Sequence, residues 1–176
     1  MFSHIFRRLK KCQNGFTIIE LTVSLAIIGF ICLGASMANT QILNQTSRNS
    51  DYTTASRQAL NAVHWISRDT QMSHSINGTT GFPLSDNLTI SWEDWDNLEH
   101  VATYYLQDDK LSRSYSVNGS IPEITLIAEY INDDPSLTNC TMASGVLTIK
   151  ITSSVGENDR VVNFTKEANI SSRPKI

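Results

Sequence analysis

One apolar segment near the N-terminus limits what this chain can fold into. Residues 16–38 contain a single charged residue, Glu20. As a helix, a run of this length spans roughly 34 Å, which is enough to cross a hydrocarbon core about 30 Å thick. The sequence therefore predicts a membrane-spanning helix.

The charges that flank this segment predict its orientation. The four basic residues just before it are Arg7, Arg8, Lys10 and Lys11. The next basic residue along the chain is Arg48. Because basic residues are kept on the cytoplasmic side of a membrane, we expect residues 1–15 to stay in the cytoplasm and the body after Ala38 to be exported.

A secretory signal peptide is the first alternative to a membrane anchor. Such a signal has an apolar stretch of about 7–15 residues that ends at a small-residue cleavage site. Ala35 and Ala38 could each provide the small residue at such a cleavage site, but the apolar run is longer than a signal peptide requires. The length of the run favours the anchor.

The apolar run begins with the sequence Gly-Phe-Thr-Ile-Ile-Glu-Leu at residues 15–21. A basic leader ending in Gly, followed by Phe and by Glu four residues later, resembles the processing site of type IV prepilins and pseudopilins. The resemblance covers about residues 7–38. It implies that a prepilin peptidase cuts between Gly15 and Phe16 and then methylates the new amino group of Phe16.

The single acidic residue of the apolar run, Glu20, carries the second implication of the resemblance. A carboxylate inside a membrane helix costs on the order of 3 kcal/mol, so it normally has a partner. The amino group of Phe16 is available within the same helix, and that of a neighbouring subunit is available in a bundle. We expect Glu20 to act in assembly through this pairing; the alternative is that it lies at the membrane interface and reaches water.

The helix is predicted to continue well beyond the membrane. Residues 16–75 contain no proline. From residue 55, one face repeats at steps of three and four. The positions on that face are Ala55, Ala59, Ala62, Val63, Ile66 and Thr70. We expect one helix of about 60 residues, roughly 90 Å long, amphipathic over 39–75 and weakest over 41–54, where a break is possible.

The rest of the chain, residues 76–176, changes to the two-residue period of strands. The predicted strands are 88–92, 101–106, 111–115, 125–131, 145–153 and 160–165. The fold class predicted is α+β: a long N-terminal helix packed on a single antiparallel sheet of five or six strands. The core residues predicted are Val63, Ile66, Leu106, Leu111, Ile127, Leu147, Ile149 and Val162.

The order of these elements resembles that of J-type minor pseudopilins and related minor pilins. In that group the helix ends in an Arg-Asp pair, as at Arg68-Asp69. Without the resemblance, the opposite charges of these two residues predict an ion pair at the end of the helix. A hairpin of the pattern Tyr-Tyr-Leu, turn, Leu-Ser-Arg follows, as at 104–106 and 111–113. A closing hairpin begins with Gly-Val-Leu, as at 145–147.

Composition weighs against several other functions. Beyond residue 15 the chain has 10 basic and 17 acidic side chains, a net charge of −7, whereas nucleic-acid binding needs clustered Lys and Arg. We expect no cofactor and no metal site: the acidic stretches 93–96 and 133–134 lack the spacing of calcium loops. Of the three cysteines, Cys140 is expected in a loop.

The sequence thus predicts a non-enzymatic minor pilin or pseudopilin subunit. The resemblance implies a single-pass inner-membrane precursor that moves into a type II secretion pseudopilus or a type IV pilus. Its implied partners are the prepilin peptidase/N-methyltransferase, other pilin subunits and the inner-membrane assembly platform. Two alternatives remain. One is a tip adhesin or a ligand- or DNA-capturing pilin; its candidate contacts for a carbohydrate or protein ligand are aromatic residues expected to be exposed, namely Trp92, Trp95, Tyr104 and Tyr105. The other is a membrane-tethered enzyme.

Overall fold

The computed structural model describes residues 16–157 and 160–173. They form one helix, α1 (Ile18–Met72), and eight strands. They divide into two compact units, of which the first ends at Thr46 and the second begins at Ser47. The predicted leader, residues 1–15, lies outside the described residues. The fold is α+β and pilin-like, with one long N-terminal apolar helix and antiparallel sheets.

The N-terminal part of α1 is apolar and exposed in the isolated chain. Its most apolar 18-residue window has a mean hydropathy of 2.3, and no residue of that window is buried. Its hydroxyl groups bond back along the helix: Ser24 Oγ donates to the Glu20 carbonyl at 2.7 Å and Ser36 Oγ to the Cys32 carbonyl at 2.9 Å. Because these bonds satisfy the polar groups internally, the segment is suited by length and composition to crossing a membrane.

The helix runs without a break through residues 41–54, where the sequence indicated its weakest point. Threonine hydroxyls are paired here too: Thr46 Oγ1 donates to the Ile42 carbonyl at 2.9 Å. At the other end, α1 stops at Met72, where the backbone N–H and the hydroxyl of Ser73 both donate to the Thr70 carbonyl. The predicted end at residue 75 is three residues too late.

The last third of α1 packs on the strands through the predicted face. Its buried residues are Ala55, Ala59, Ala62, Val63, Ile66, Asp69 and Thr70. The predicted three-and-four spacing is confirmed, and Asp69 is the one charged residue on this face.

The first sheet has five antiparallel strands in sequential order. They are β1 (Ser75–Asn77), β2 (Leu88–Glu93), β3 (Glu99–Gln107), β4 (Lys110–Val117) and β5 (Glu123–Ala128). Asp108 and Asp109 join β3 to β4 with φ of 50° and 60°. Positive φ at both central residues is typical of the type I′ turn that matches the twist of a tight hairpin.

The second sheet has three antiparallel strands in sequential order. They are β6 (Asn139–Ala143), β7 (Val146–Val155) and β8 (Val162–Ser171). Ser144 and Gly145 connect β6 to β7 with φ of 51° and 78°, again the geometry of a type I′ turn.

The strands therefore form two sheets, whereas the sequence predicted a single sheet of five or six strands. The first sheet ends at β5, and near the end of this strand two side chains of α1 bond to the backbone. Asn61 Nδ2 donates to the Ile127 carbonyl at 2.6 Å, and Gln58 Oε1 accepts from the Glu129 N–H at 3.1 Å. Beyond β5, Ile131 forms a single antiparallel bridge to Ser153 of β7, and β6 to β8 form a separate sheet.

Both sheets and α1 share one hydrophobic cluster. Six of the predicted core residues are buried, namely Val63, Ile66, Leu111, Ile127, Leu147 and Ile149. Leu106 and Val162 are only half-buried. Tyr104 and Ile170, which the pattern did not select, are buried in their place.

Candidate functional site

The first turn of α1 contains a reciprocal pair formed by Thr17 and Glu20. Oε2 of Glu20 accepts from the backbone N–H of Thr17 at 3.2 Å and from its hydroxyl at 3.1 Å. In return, Thr17 Oγ1 accepts from the Glu20 backbone N–H at 3.3 Å. This is a capping box, which satisfies N–H groups that have no partner within the helix.

The sequence carried the signal for this box, since a Thr followed by Glu at the third position marks a helix start. The prediction considered only the charge of Glu20 and missed Thr17. All the side-chain bonds of Glu20 fall on Oε2, and Oε1 has no bond to any residue that the structure describes. Phe16 is 80% exposed, and Gly15 lies outside the described residues.

A buried cluster of charged and polar groups lies where the end of α1 meets β3 and β4. Asp69 is fully buried, and its Oδ2 accepts from Tyr104 OH at 2.6 Å and from Arg113 Nε at 2.7 Å. Burial and the charge of Asp69 raise the pKa of Tyr104. Burial alone would lower the pKa of Arg113, but the bond to Asp69 raises it above its ordinary value. Tyr104 therefore stays a neutral phenol beside the Asp69–Arg113 ion pair.

The sequence predicted Arg68 as the ion-pair partner of Asp69. In the structure Asp69 has two arginine partners, and Arg68 is the more distant of them. Its Nη2 lies 3.5 Å from Asp69 Oδ1, and its side chain is 48% exposed. The guanidinium of Arg68 lies 4.1 Å from the ring centre of Trp65. An acidic residue on the apolar face of a helix was the available signal for a buried partner, but sequence spacing does not say which arginine supplies it.

Three aromatic side chains from β2, β3 and β4 form a cluster in which each ring neighbours the other two, and the ring centres of Trp92 and Tyr115 are 6.1 Å apart. The rings of Trp92 and His100 are parallel within 2°, with centres 5.3 Å apart, and those of His100 and Tyr115 are 6.0 Å apart. His100 Nδ1 lies 2.6 Å from Tyr115 OH. The guanidinium of Arg113 lies 4.4 Å from the ring centre of Tyr115.

The aromatic residues suggested as ligand contacts have different surroundings. Trp95 is 86% exposed in the β2–β3 turn. Trp92 and Tyr105 are half-buried. Tyr104 is fully buried and bonded to Asp69, so the expectation that its ring is exposed is wrong. An inward position in β3 places its ring in the core.

The cysteine of the body lies in a strand, which corrects the expectation of a loop. Cys140 is in β6 and is 2% exposed, and its Sγ lies 3.5 Å from the Thr79 carbonyl. Burial raises the pKa of its thiol to about 12. Within residues 16–157 and 160–173, no three His, Cys, Asp or Glu side chains are grouped as metal ligands would be.

Residues 10–36 match the family described as the prokaryotic N-terminal methylation motif. No curated protein and no solved structure matches the chain. The matched segment includes Gly15, Phe16 and Glu20 of the predicted processing site. Together, this motif and the exposed apolar helix indicate a type IV pilin- or pseudopilin-type protein, with an N-terminal helix suited to anchoring in a membrane.

Proposed function

We propose that this chain is a non-enzymatic minor pilin or pseudopilin subunit. In this proposal the prepilin peptidase removes residues 1–15 after Gly15 and methylates the amino group of Phe16. The subunit first spans the inner membrane once, with its N-terminus in the cytoplasm. The assembly platform then moves it into a type II secretion pseudopilus or a type IV pilus.

The geometry of Glu20 carries the proposal. The capping box fixes the carboxylate by placing both hydrogen bonds on Oε2. Oε1 is left for an ammonium group, and cleavage after Gly15 would create one on Phe16 of each subunit. A carboxylate already held in place loses less side-chain entropy on pairing than a free one does.

The exposed apolar surface of α1 gives the second support. Large apolar side chains remain more than half exposed along the helix, among them Ile18, Phe30 and Leu43. Monomeric soluble proteins rarely expose so extended an apolar patch. Lipid covers such a surface before assembly, and helices of neighbouring subunits cover it afterwards.

Two substitutions of Glu20 test the pairing. Glu20→Gln keeps an acceptor for the capping box, since Gln serves at this position, but removes the negative charge. Glu20→Ala removes both. We expect both variants to insert and to be processed, because Gly15 and Phe16 are unchanged, and to be lost from filaments, because an unpaired buried ammonium costs about 3–5 kcal/mol.

Intact-mass measurement first shows whether each variant is processed normally. Crosslinking then compares the amount of subunit in filaments with the amount in the membrane. Glu20→Asp, which keeps the charge on a shorter side chain, is the matched control and should assemble in part. If Glu20→Gln enters filaments as well as the parent chain does, charge pairing at Glu20 is not the basis of assembly.

A further inference from the structure

A cavity of about 400 Å³ opens beside the last turn of α1, at the ends of β2, β3 and β4. Trp92, His100 and Tyr115 form its aromatic wall, and three guanidinium groups also line it. These belong to Arg68, Arg113 and Arg173. The volume lies within the range of small-molecule sites, which combine aromatic walls with a few fixed polar groups.

Two of the arginines are held in place without any ligand. Arg113 is 8% exposed, is bonded to Asp69 through Nε and stacks on Tyr115. Arg68 stacks on Trp65. Fixed guanidinium groups lose little freedom when they bind a carboxylate, and their planar donors match its two oxygens.

His100, which lines the cavity, has one polar side-chain atom without a partner among the described residues. His100 Nε2 is buried and makes no hydrogen bond with the described residues. When Tyr115 OH donates to Nδ1, Nε2 carries the proton and is a free donor. Asp94 Oδ2 is 3.9 Å from Nε2, too far for a hydrogen bond. A hydroxyl group that accepts from Nε2 and donates to Asp94 would satisfy both.

We propose that this cavity binds a uronic-acid unit, that is, a sugar ring with hydroxyl groups and one carboxylate. The aromatic wall faces the C–H surface of the ring, Arg68 and Arg113 take the carboxylate, and His100 with Asp94 takes a hydroxyl. Glu93 and Asp94 also line the cavity, and they would repel a peptide with several carboxylates. The site is separate from the proposed assembly function and does not depend on it.

The test uses two sugars that differ only at the carboxylate. The full chain is prepared in a detergent without a sugar headgroup, and methyl glucuronoside and methyl glucoside are titrated separately. Saturation-transfer NMR and tryptophan fluorescence report binding. We expect the glucuronoside to bind at least tenfold more tightly than the glucoside, a difference of about 1.4 kcal/mol.

Substitutions assign the binding to the cavity. Arg68→Gln should weaken the glucuronoside at least fivefold and leave the glucoside unchanged. Its side chain is half exposed, so the fold should persist, and an unchanged melting temperature checks this. Arg57→Gln, an exposed arginine on the same helix, is the matched control and should bind as the parent chain does.

Three results would overturn the proposal: no binding of the glucuronoside, equal binding of the two sugars, or equal weakening by Arg57→Gln and Arg68→Gln. A glutamate-rich peptide serves as the competing probe. If this peptide binds more tightly than the glucuronoside and Arg68→Gln weakens its binding, the cavity is a peptide site instead.

Discussion

Asp69 near the end of α1 accepts a 2.7 Å hydrogen bond from Nε of Arg113 on β4, 44 residues further along the chain. The carboxylate is fully buried, and the guanidinium is nearly so. The adjacent Arg68 approaches the same carboxylate only at 3.5 Å and stays half exposed. The long-range ion pair is therefore both shorter and more buried than the local one.

Removal of Asp69 should destabilise the body strongly. Asp69→Ala leaves Arg113 buried without its counter-charge, a loss of about 3–5 kcal/mol in the free energy of unfolding. Urea denaturation of the full chain in detergent, followed by tryptophan fluorescence, measures it. Trp65, Trp92 and Trp95 all lie in the unit that begins at Ser47, so the signal reports on that unit.

The control for this prediction is Arg68→Gln. A half-exposed ion pair is worth at most about 1 kcal/mol, so the midpoint should move little. Tyr104→Phe should fall between the two, since a hydrogen bond to a charged group is worth about 1.5–3 kcal/mol. Equal losses in Arg68→Gln and Asp69→Ala would contradict the ranking.

Alkaline pH should destabilise the body in part through Cys140. Burial raises the pKa of its thiol from 9.0 to about 12. The unfolded chain releases this proton at a lower pH than the folded chain does, so the stability that the neutral thiol contributes is present below pH 9 and is lost as pH rises towards 12. In Cys140→Ala, urea unfolding should depend less on pH between 9 and 12 than in the parent chain.

The same burial predicts slow chemical modification of Cys140. In a variant with Cys12→Ser and Cys32→Ser, a thiol reagent at pH 8 should react at least a hundredfold faster with the unfolded than with the folded chain, because only the thiolate reacts. Similar rates in both states would show that β6 opens readily.

The sequence predicted the features that depend on local pattern. The apolar run, the uninterrupted helix and the buried face from Ala55 to Thr70 follow from composition and a 3.6-residue period. The Asp69–Arg113 pair was not predictable, since it depends on which residues of β4 lie next to α1 in the folded chain. The division into two sheets was also missed, because the two-residue period identifies strands and does not show which strands pair.

Processing should depend on the size of residue 15. Gly15→Leu should leave the precursor uncut, because the peptidase must approach the backbone closely, whereas Gly15→Ala should be cut in part. Intact-mass measurement of the parent chain should show loss of residues 1–15 and gain of one methyl group. A mature chain that starts after Ala35 or Ala38 would contradict the prepilin-type assignment.

Thr17 should affect assembly less than Glu20 does. Thr17→Val removes the hydroxyl, and with it two of the three bonds of the capping box. Loss of an N-terminal cap costs about 1 kcal/mol, equivalent to roughly a fivefold change in an equilibrium. The charge of Glu20 remains, so we expect processed Thr17→Val to enter filaments at a reduced level. Glu20→Gln, in contrast, should not enter them.

Thr17→Ser restores the hydroxyl at almost the same position and is the matched control, with assembly expected at the parental level. Crosslinking of filament-resident subunit, normalised to processed subunit in the membrane, compares the three chains. Better assembly of Thr17→Val than of the parent chain would mean that the box competes with the intersubunit pair for the carboxylate. In that case the box holds Glu20 back before assembly, because its bonds must break before the carboxylate can turn towards a neighbouring ammonium.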